Sequence, residues 1–229
     1  MTTADQPLQP GDLAPDFQLP AVNREGTVSL ADYRGKSPVL VGLFRGLHCP
    51  FCRRQIARLS QTQEKLAREG VQTVAVVNTP AQRARQYFQY RPTSVVLAAD
   101  PDVSTHRAYG LRPFAVLPDE TDPNDVHWPQ SSTMERMMKT RSTANGELPE
   151  AMNLMAVMDT LNTRDQFEMT DVDQHIKEAH MTQLAGQFLI DSAGKIRWSF
   201  VEAPDSPDQL GQFPSDDEVL SAARAASRQ

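Results

Sequence analysis

The chain has 229 residues, of which 39% are hydrophobic and 23% are charged. This balance is typical of a protein that folds in water and excludes both a disordered chain and a membrane-embedded one. The formal net charge of −6 argues against nucleic acid as a partner. No apolar run approaches the roughly 18 residues that a membrane span needs, and no targeting segment is visible. The length suits one domain, and the short apolar runs argue against a membrane partner. Because two cysteines are too few for a disulfide-stapled secreted protein, we expect the protein in the cytoplasm.

The first half of the chain predicts a strand-helix-strand unit. Prolines and glycines punctuate a lead-in that predicts a short hairpin near residues 23–26. The apolar run at 37–44 is typical of a strand covered on both faces. Apolar residues recur every three or four positions over 50–69, which predicts a helix, and the run at 71–78 predicts the next strand. Such a crossover implies two parallel strands with a right-handed connection.

Further elements extend this pattern towards the C-terminus. They are a helix at 80–91, a strand at 94–100, a short helix ending at Gly110, and an antiparallel hairpin formed by 187–191 and 195–203. Ser215 and Glu218 have the spacing of a capping box, which predicts the start of a final helix. Together these elements predict an α/β fold, with a mixed sheet of four or five strands flanked by helices.

Residues 113–182 interrupt the pattern. Thirteen acidic and five basic residues give this segment a net charge of −8. The stretches 146–161 and 170–184 predict helices, so we interpret 113–182 as a long, mainly helical, acidic insertion before the C-terminal hairpin. Every methionine except Met1 lies between residues 110 and 186. Adaptable packing against the main domain is one interpretation of these methionines; a substrate cover and a homodimer contact are the others.

The two cysteines, Cys49 and Cys52, stand three positions apart at the start of the helix predicted at 50–69. Unpaired backbone N–H groups and the macrodipole at a helix start favour an anion, here the reactive thiolate. We therefore predict that Cys49, on the exposed N-cap side, is the attacking thiol. Cys52 follows by about one helical turn and is predicted to resolve the mixed disulfide. The expected supporting residues are Arg45, His48, Pro50, Arg53 and Arg54, of which Pro50 suits the first helical position and the arginines supply positive charge.

Other interpretations of this segment remain open. A structural disulfide would close a loop of only four residues and add little stability. A zinc site would need further ligands, and the remaining histidines match no finger spacing; they are His106, His127, His175 and His180. Two unreactive buried thiols would also fit. His48 either tunes the potential and shuttles protons or is a packing residue. We predict no metal and no cofactor.

Five segments occur in a characteristic order: GDLAPDFQLP, VSLADYRGKSPVLVGLFRG, HCPFCRRQIARL, DPDVSTHRAYGL and GQFLIDSAGKIRW. In this order they resemble the peroxiredoxin-like (AhpC/TSA) branch of the thioredoxin superfamily. The resemblance implies one thioredoxin-like domain spanning 1–229, with 113–182 as an insertion within it. It also implies a redox site at Cys49 and Cys52, a peroxide or disulfide substrate, and a thiol reductant such as thioredoxin or glutathione.

Three positions differ from the patterns of that group. If Cys52 overlays the cysteine of the Pro-x-x-x-Thr-x-x-Cys motif, Arg45 stands in the proline position and Cys49 in the threonine position. Ala185 stands where a cis-proline or an arginine is usual. A dithiol needs only a sulfur of low pKa and a neighbouring thiol, so all three replacements are compatible with dithiol chemistry.

The leading hypothesis is an enzyme: a thiol-disulfide oxidoreductase of peroxiredoxin-like, antioxidant type. A second hypothesis is a non-catalytic redox sensor in which the acidic insertion docks a partner. A third is a metal-binding protein that uses the two thiols.

Overall fold

A computed structural model describes residues 6–226. In chain order the strands are β1 (Gln18–Pro20), β2 (Thr27–Ser29), β3 (Val39–Phe44), β4 (Gln72–Val77), β5 (Val96–Ala99), β6 (Ala115–Leu117), β7 (Ser131–Thr133), β8 (Arg141–Ser142), β9 (Met152–Asn153), β10 (Gly186–Ile190) and β11 (Ile196–Val201). The α-helices are α1 (Pro50–Arg68), α2 (Ala81–Tyr90), α3 (Ser104–Ala108), α4 (Met134–Lys139), α5 (Leu154–Arg164), α6 (Asp171–His180) and α7 (Asp216–Ala226).

The centre of the molecule is a five-stranded mixed sheet in the order β11-β10-β3-β4-β5. Strands β3, β4 and β5 run parallel, whereas β10 runs antiparallel to both β3 and β11. This confirms the predicted mixed sheet, its parallel pair and its C-terminal hairpin.

Apolar side chains cover both faces of this sheet. On one face, Ile56 of α1 and Val219 of α7 belong to the same core cluster as Leu40 of β3. On the other face, Tyr109 packs against Phe188 with ring centroids 5.0 Å apart. Every residue of β3 is buried, as expected for a strand covered on both faces.

The turn from β3 into α1 sets the position of the two cysteines. Pro50 is the first residue of α1, where its missing N–H leaves no intrahelical bond unmade. The helix ends at Arg68 with Glu69 as its C-cap, and Gly70 follows with a φ of +78°, a left-handed conformation that glycine adopts readily. The carboxyl end of β3 therefore leads directly to the start of a 19-residue helix.

The segment 113–182 contains three helices: α4 was not predicted, and α5 and α6 are shorter than the two helices predicted there. The helix predicted at 146–161 begins only at Leu154, because Asn153 caps it by accepting a hydrogen bond from the N–H of Ala156 at 2.9 Å. Two small sheets were not predicted: β6-β7 precedes α4 in the chain, and β8-β9 lies between α4 and α5. Whether 113–182 is an insertion in a single domain stays a prediction.

Two local predictions are confirmed. Strands β1 and β2 form the short antiparallel hairpin around residues 23–26. At the start of α7, the N–H of Ser215 donates to Glu218 Oε2 at 2.7 Å, and the N–H of Glu218 donates to Ser215 Oγ at 3.3 Å, as a capping box requires. Within residues 6–226, no helix combines the length and the apolar character needed to cross a membrane.

Candidate active site

Cys49 lies at the N-cap of α1, with its backbone in the extended conformation. Its Sγ accepts a hydrogen bond from the backbone N–H of Cys52 at 3.3 Å. This is the geometry of a capping side chain, in which a helix-start N–H stabilises negative charge on the cap. Both cysteines are free thiols.

Arg45 lies four residues before Cys49 and points at its sulfur. The Nε atom of Arg45 donates to Cys49 Sγ at 3.3 Å, while its two Nη atoms donate to the carboxylate of Glu202 at 2.5 and 2.7 Å. Nη1 also donates to the backbone carbonyl of Gln183 at 3.0 Å. Arg45 and Glu202 are both buried, so this bidentate pair is removed from solvent and holds the guanidinium against the thiol.

These contacts shift the pKa values of the two thiols in opposite directions. Burial alone would raise the pKa of Cys49, but its hydrogen bond with the side chain of Cys52 and the positive charge of Arg45 outweigh burial and lower that pKa to about 6. Burial, followed by the hydrogen bond with Cys49, raises the pKa of Cys52 well above its usual range. Cys49 is therefore the thiolate near neutral pH, and Cys52 is the thiol that keeps its proton.

His48 is buried beside this pair. Burial, followed by the charges of Arg45 and Lys177, lowers the pKa of His48 to about 3. Its Nδ1 atom has no hydrogen-bond partner within the described residues 6–226. His48 is therefore a neutral imidazole at pH 7, which restricts it to accepting a proton or packing rather than supplying positive charge.

Arg53 takes a different place from the one expected for a group that stabilises the thiolate. Its Nη1 donates to the carbonyl of Leu47 at 2.6 Å, and its Nη2 pairs with Asp165 at 2.9 Å. Arg54 likewise turns away and pairs with Glu147 and Asp165. The arginine whose hydrogen bond reaches Cys49 is Arg45, which precedes the helix, and the two that follow the cysteines tie α1 to the segment 113–182.

The expectation that Cys49 is exposed is wrong. Cys49 is 3% exposed and Cys52 is 1% exposed, because residues of the segment 113–182 cover the start of α1. Cys49 nevertheless lines a cavity of about 110 Å³. We call this cavity the methionine groove, because six methionines line it together with Cys49: Met134, Met137, Met138, Met155, Met158 and Met181.

Four of these methionines, Met134, Met138, Met155 and Met181, are exposed. The groove therefore connects these exposed apolar side chains with Cys49. A substrate cover, a homodimer contact and packing against the main domain all stay predictions for these methionines. Within residues 6–226, no group of three or more histidine, cysteine, aspartate or glutamate side chains is arranged to hold a metal ion.

Two residues of the site were not predicted from the sequence. Glu202 and Gln183 are distant from the cysteines in the chain, and each meets Arg45 only in the folded protein. A weak signal existed for Glu202, since it is a lone carboxylate directly after the apolar strand β11. Ala185, at the position where a cis-proline or an arginine is usual, donates its N–H to Glu202 Oε2 at 3.1 Å.

Comparisons with known proteins concern the family and the fold of this chain. The model of the AhpC/TSA family matches residues 10–199. Peroxiredoxin Bcp of Escherichia coli K12 is 27% identical over 105 residues, which cover 46% of this chain and 66% of that protein. The chain thus matches just under two thirds of the length of this curated relative.

Solved structures give the same fold. Peroxidoxin BcpB from Mycobacterium tuberculosis superposes with a TM-score of 0.55 at 14% identity, covering 95% of this chain and 97% of that chain. The reduced 2-Cys peroxiredoxin of Plasmodium vivax superposes with a TM-score of 0.56 at 15% identity, covering 96% and 98%. The fold is therefore thioredoxin-like, as predicted, and the match over residues 10–199 shows that the chain belongs to the AhpC/TSA family.

Proposed function

We propose that this protein is a thiol-dependent oxidoreductase that reduces peroxides or disulfides through Cys49 and Cys52. The observation that carries the proposal is the contact of Arg45 Nε with Cys49 Sγ at 3.3 Å. Because Cys49 is buried, its sulfur needs both the hydrogen bond with Cys52 and the cation of Arg45 to stay anionic. An anionic sulfur beside a protonated second thiol is the arrangement that dithiol chemistry needs.

With a hydroperoxide, the thiolate of Cys49 attacks the terminal oxygen. A sulfur–oxygen bond forms, the oxygen–oxygen bond breaks, and the leaving alkoxide takes a proton from solvent to become an alcohol. The sulfur loses two electrons and becomes a sulfenic acid. The thiol of Cys52 then attacks that sulfur, which forms the Cys49–Cys52 disulfide and releases water.

A thiol reductant completes the cycle. Two electrons from a dithiol such as thioredoxin, or from two molecules of glutathione, reduce the internal disulfide to two thiols, and the reductant leaves as a disulfide. With a disulfide substrate, Cys49 first forms a mixed disulfide and releases one thiol; Cys52 then releases the second. A reducing compartment such as the cytoplasm, the setting we propose, supplies such reductants.

The methionine groove favours peroxides as the first substrates to test. Cys49 is almost completely buried, so a large folded partner has to displace residues around the groove to reach its sulfur. A small hydroperoxide needs only the cavity of about 110 Å³. The apolar methionine walls also favour hydroperoxides that carry hydrocarbon groups.

The test is stopped-flow oxidation of the reduced protein by hydrogen peroxide, an organic hydroperoxide and a model disulfide, followed by turnover with thioredoxin or glutathione. We expect Cys49→Ser to abolish oxidation by all three. Cys52→Ser should still be oxidised once by peroxide but should not form the internal disulfide. Retention of full peroxidase and disulfide reductase activity by Cys49→Ser would refute the assignment of the attacking thiol.

A second candidate function is a redox sensor that docks a partner through the segment 113–182. This candidate is favoured by the net charge of −8 on that segment and by exposed apolar side chains on it, including Val116, Met134 and Met181. A sensor is oxidised but does not need to turn over. Oxidation of Cys49 without repeated cycling in the presence of either reductant would therefore favour the sensor over the enzyme. A homodimer formed through the exposed apolar side chains of the segment 113–182 is a further proposal.

A further inference from the structure

Glu202 is completely buried at the redox site, and both of its carboxylate oxygens are satisfied. Oε1 accepts from Arg45 Nη2 at 2.7 Å and from the N–H of Gly211 at 2.8 Å. Oε2 accepts from Arg45 Nη1 at 2.5 Å and from the N–H of Ala185 at 3.1 Å. The backbone N–H of Glu202 also donates to the carbonyl of Ala185 at 2.9 Å. The carboxylate is therefore fixed between the strand pair β10-β11 and the arginine.

Hydrogen bonds thus connect three groups in series: the carboxylate of Glu202, the guanidinium of Arg45 and the sulfur of Cys49. A buried ion pair contributes little net stability compared with apolar residues of similar volume, since both charges are desolvated. Stability alone therefore gives no reason for Glu202 at this position. Its contact with the guanidinium whose Nε donates to Cys49 Sγ gives a chemical reason.

We propose that Glu202 positions and tunes this site: it fixes the guanidinium of Arg45 against Cys49 and, through its own negative charge, limits how strongly that cation stabilises the anionic sulfur. A sulfur anion that is stabilised too strongly is a weaker nucleophile, and it also makes the internal disulfide easier to reduce. Glu202 therefore keeps Cys49 reactive and the dithiol reducing. The negative charge of Glu202 acts to raise the pKa of Cys49, against the lowering by Cys52 and Arg45.

Other titratable groups also face this cluster. Cys52 shares it, His48 and His106 face Arg45, and Lys177 and Asp173 face His48. Burial, as the largest cause, lowers the pKa of His48 to about 3 and that of His106 to about 4. Both imidazoles are therefore neutral above pH 5, and a titration of thiolate absorbance between pH 5 and 9 reports Cys49.

The experiment compares Glu202→Gln with the unaltered protein. Glutamine keeps the shape and one acceptor oxygen for Arg45 but removes the charge. We expect the midpoint of the Cys49 titration, followed by thiolate absorbance, to fall by about 1 pH unit. We also expect the equilibrium between the internal disulfide and glutathione to shift about tenfold towards the reduced dithiol. Asp173→Asn is the matched control, because Asp173 is also buried and paired with an arginine, Arg83, and it should leave the midpoint unchanged.

An unchanged midpoint and potential in folded Glu202→Gln would show that Glu202 is structural only, and a raised midpoint would show that it acts only by holding Arg45; either result overturns the proposal. If the variant does not fold, carbon-13 NMR of the unaltered protein gives the same information. The Glu202 carboxyl signal should shift with the midpoint of Cys49, and a signal that ignores this titration overturns the proposal.

The inference rests on the proposed function in taking Cys49 as the reacting thiol. Its readouts are nevertheless a titration and an equilibrium, neither of which needs turnover. If the unaltered protein has neither peroxidase nor disulfide reductase activity but Glu202→Gln lowers the Cys49 midpoint, only the proposed function is refuted. If the unaltered protein turns over but Glu202→Gln leaves the Cys49 midpoint unchanged, only the inference about Glu202 is refuted.

Discussion

The guanidinium of Arg53 lies over the ring of Phe167, 4.0 Å from the ring centroid. Arg53 comes from the first turn of α1, and Phe167 lies in the segment 113–182, between α5 and α6. The same guanidinium pairs with Asp165 and donates to the carbonyl of Leu47 in the turn before the thiols. One side chain therefore fastens both the segment 113–182 and the approach to Cys49 onto the helix.

Replacing Arg53 should weaken the fold and leave the thiolate unaltered. In Arg53→Met the apolar stem is kept, but the ion pair with Asp165 and the stacking on Phe167 are lost. We expect the free energy of unfolding, measured with urea, to fall by about 2 kcal/mol. The Cys49 titration midpoint should stay within experimental error of its original value. A rise of the Cys49 midpoint in Arg53→Met, of the kind we expect on loss of Arg45, would contradict the separate roles given to the two arginines.

Replacing Arg45 should change both the thiolate and the stability of the fold. In Arg45→Gln the cation nearest to Cys49 is lost, so the pKa of Cys49 should rise from about 6 and the peroxide reaction at pH 7 should slow by about tenfold or more. The variant also leaves Glu202 buried without its cation, which should lower the free energy of unfolding by roughly 3 to 5 kcal/mol. Rates are measured by stopped flow at several pH values. Arg83→Gln, which breaks another partly buried arginine pair, is the control and should change stability without changing the pH midpoint.

These two arginines show what the sequence could and could not establish. Pro50, the polar and apolar periodicity of α1 and the buried strand β3 are local patterns, so the thioredoxin-like sheet and the position of the two cysteines were predicted correctly. Which arginine faces the sulfur depends on side-chain directions and on partners more than 100 residues away, namely Asp165 and Glu202. No local period carries that information.

The same limit explains why the burial of Cys49 was missed. An N-cap position is exposed when a helix start faces solvent, and local sequence gave no sign that a distant segment lies over it. The methionines did carry a signal, because eight of them cluster in one segment. Composition alone could not decide whether they pack inside the protein or line a path to the thiols.

The pH dependence of the peroxide reaction follows from the lowered pKa of Cys49. The thiol form is unreactive and the thiolate attacks, so the rate constant should rise as pH increases and level off above the pKa. With a pKa of about 6, the thiolate fraction increases about tenfold between pH 5 and pH 7. Stopped-flow oxidation by hydrogen peroxide across this range measures the profile. A profile centred near pH 8.5, the value for an ordinary cysteine, would show that Arg45 and Cys52 do not activate Cys49.

His106 should make the protein sensitive to acid. It is fully buried, neither ring nitrogen has a hydrogen-bond partner within residues 6–226, and burial lowers its pKa to about 4. Its pKa in the unfolded chain is about 6.5, so its contribution to stability is complete above that value and is lost as pH falls through about 4. From pH 7 to pH 4.5 this group alone should reduce the free energy of unfolding by about 2 kcal/mol.

Urea unfolding at the two pH values, repeated on His106→Leu, isolates this contribution. The variant should lose about 2 kcal/mol less than the unaltered protein over the same interval, because leucine cannot bind the proton. His175→Leu is the control: His175 is exposed, so its removal should leave the pH dependence as it was. Equal acid sensitivity in His106→Leu and the unaltered protein would mean that His106 titrates normally in the folded state.

The methionine groove should select among peroxides. Met138 and Met155 both line it and are both exposed, so a glutamate at either position can reach solvent without disrupting the core. We expect Met138→Glu and Met155→Glu to raise the KM for an aromatic hydroperoxide by about tenfold, because the ligand loses apolar contact and meets a hydrated charge. The reaction with hydrogen peroxide should be nearly unchanged, since that substrate has no apolar group to bury. Met169→Glu, an exposed methionine outside the groove, is the matched control, and equal effects on both peroxides or in the control would mean that the groove does not hold the substrate.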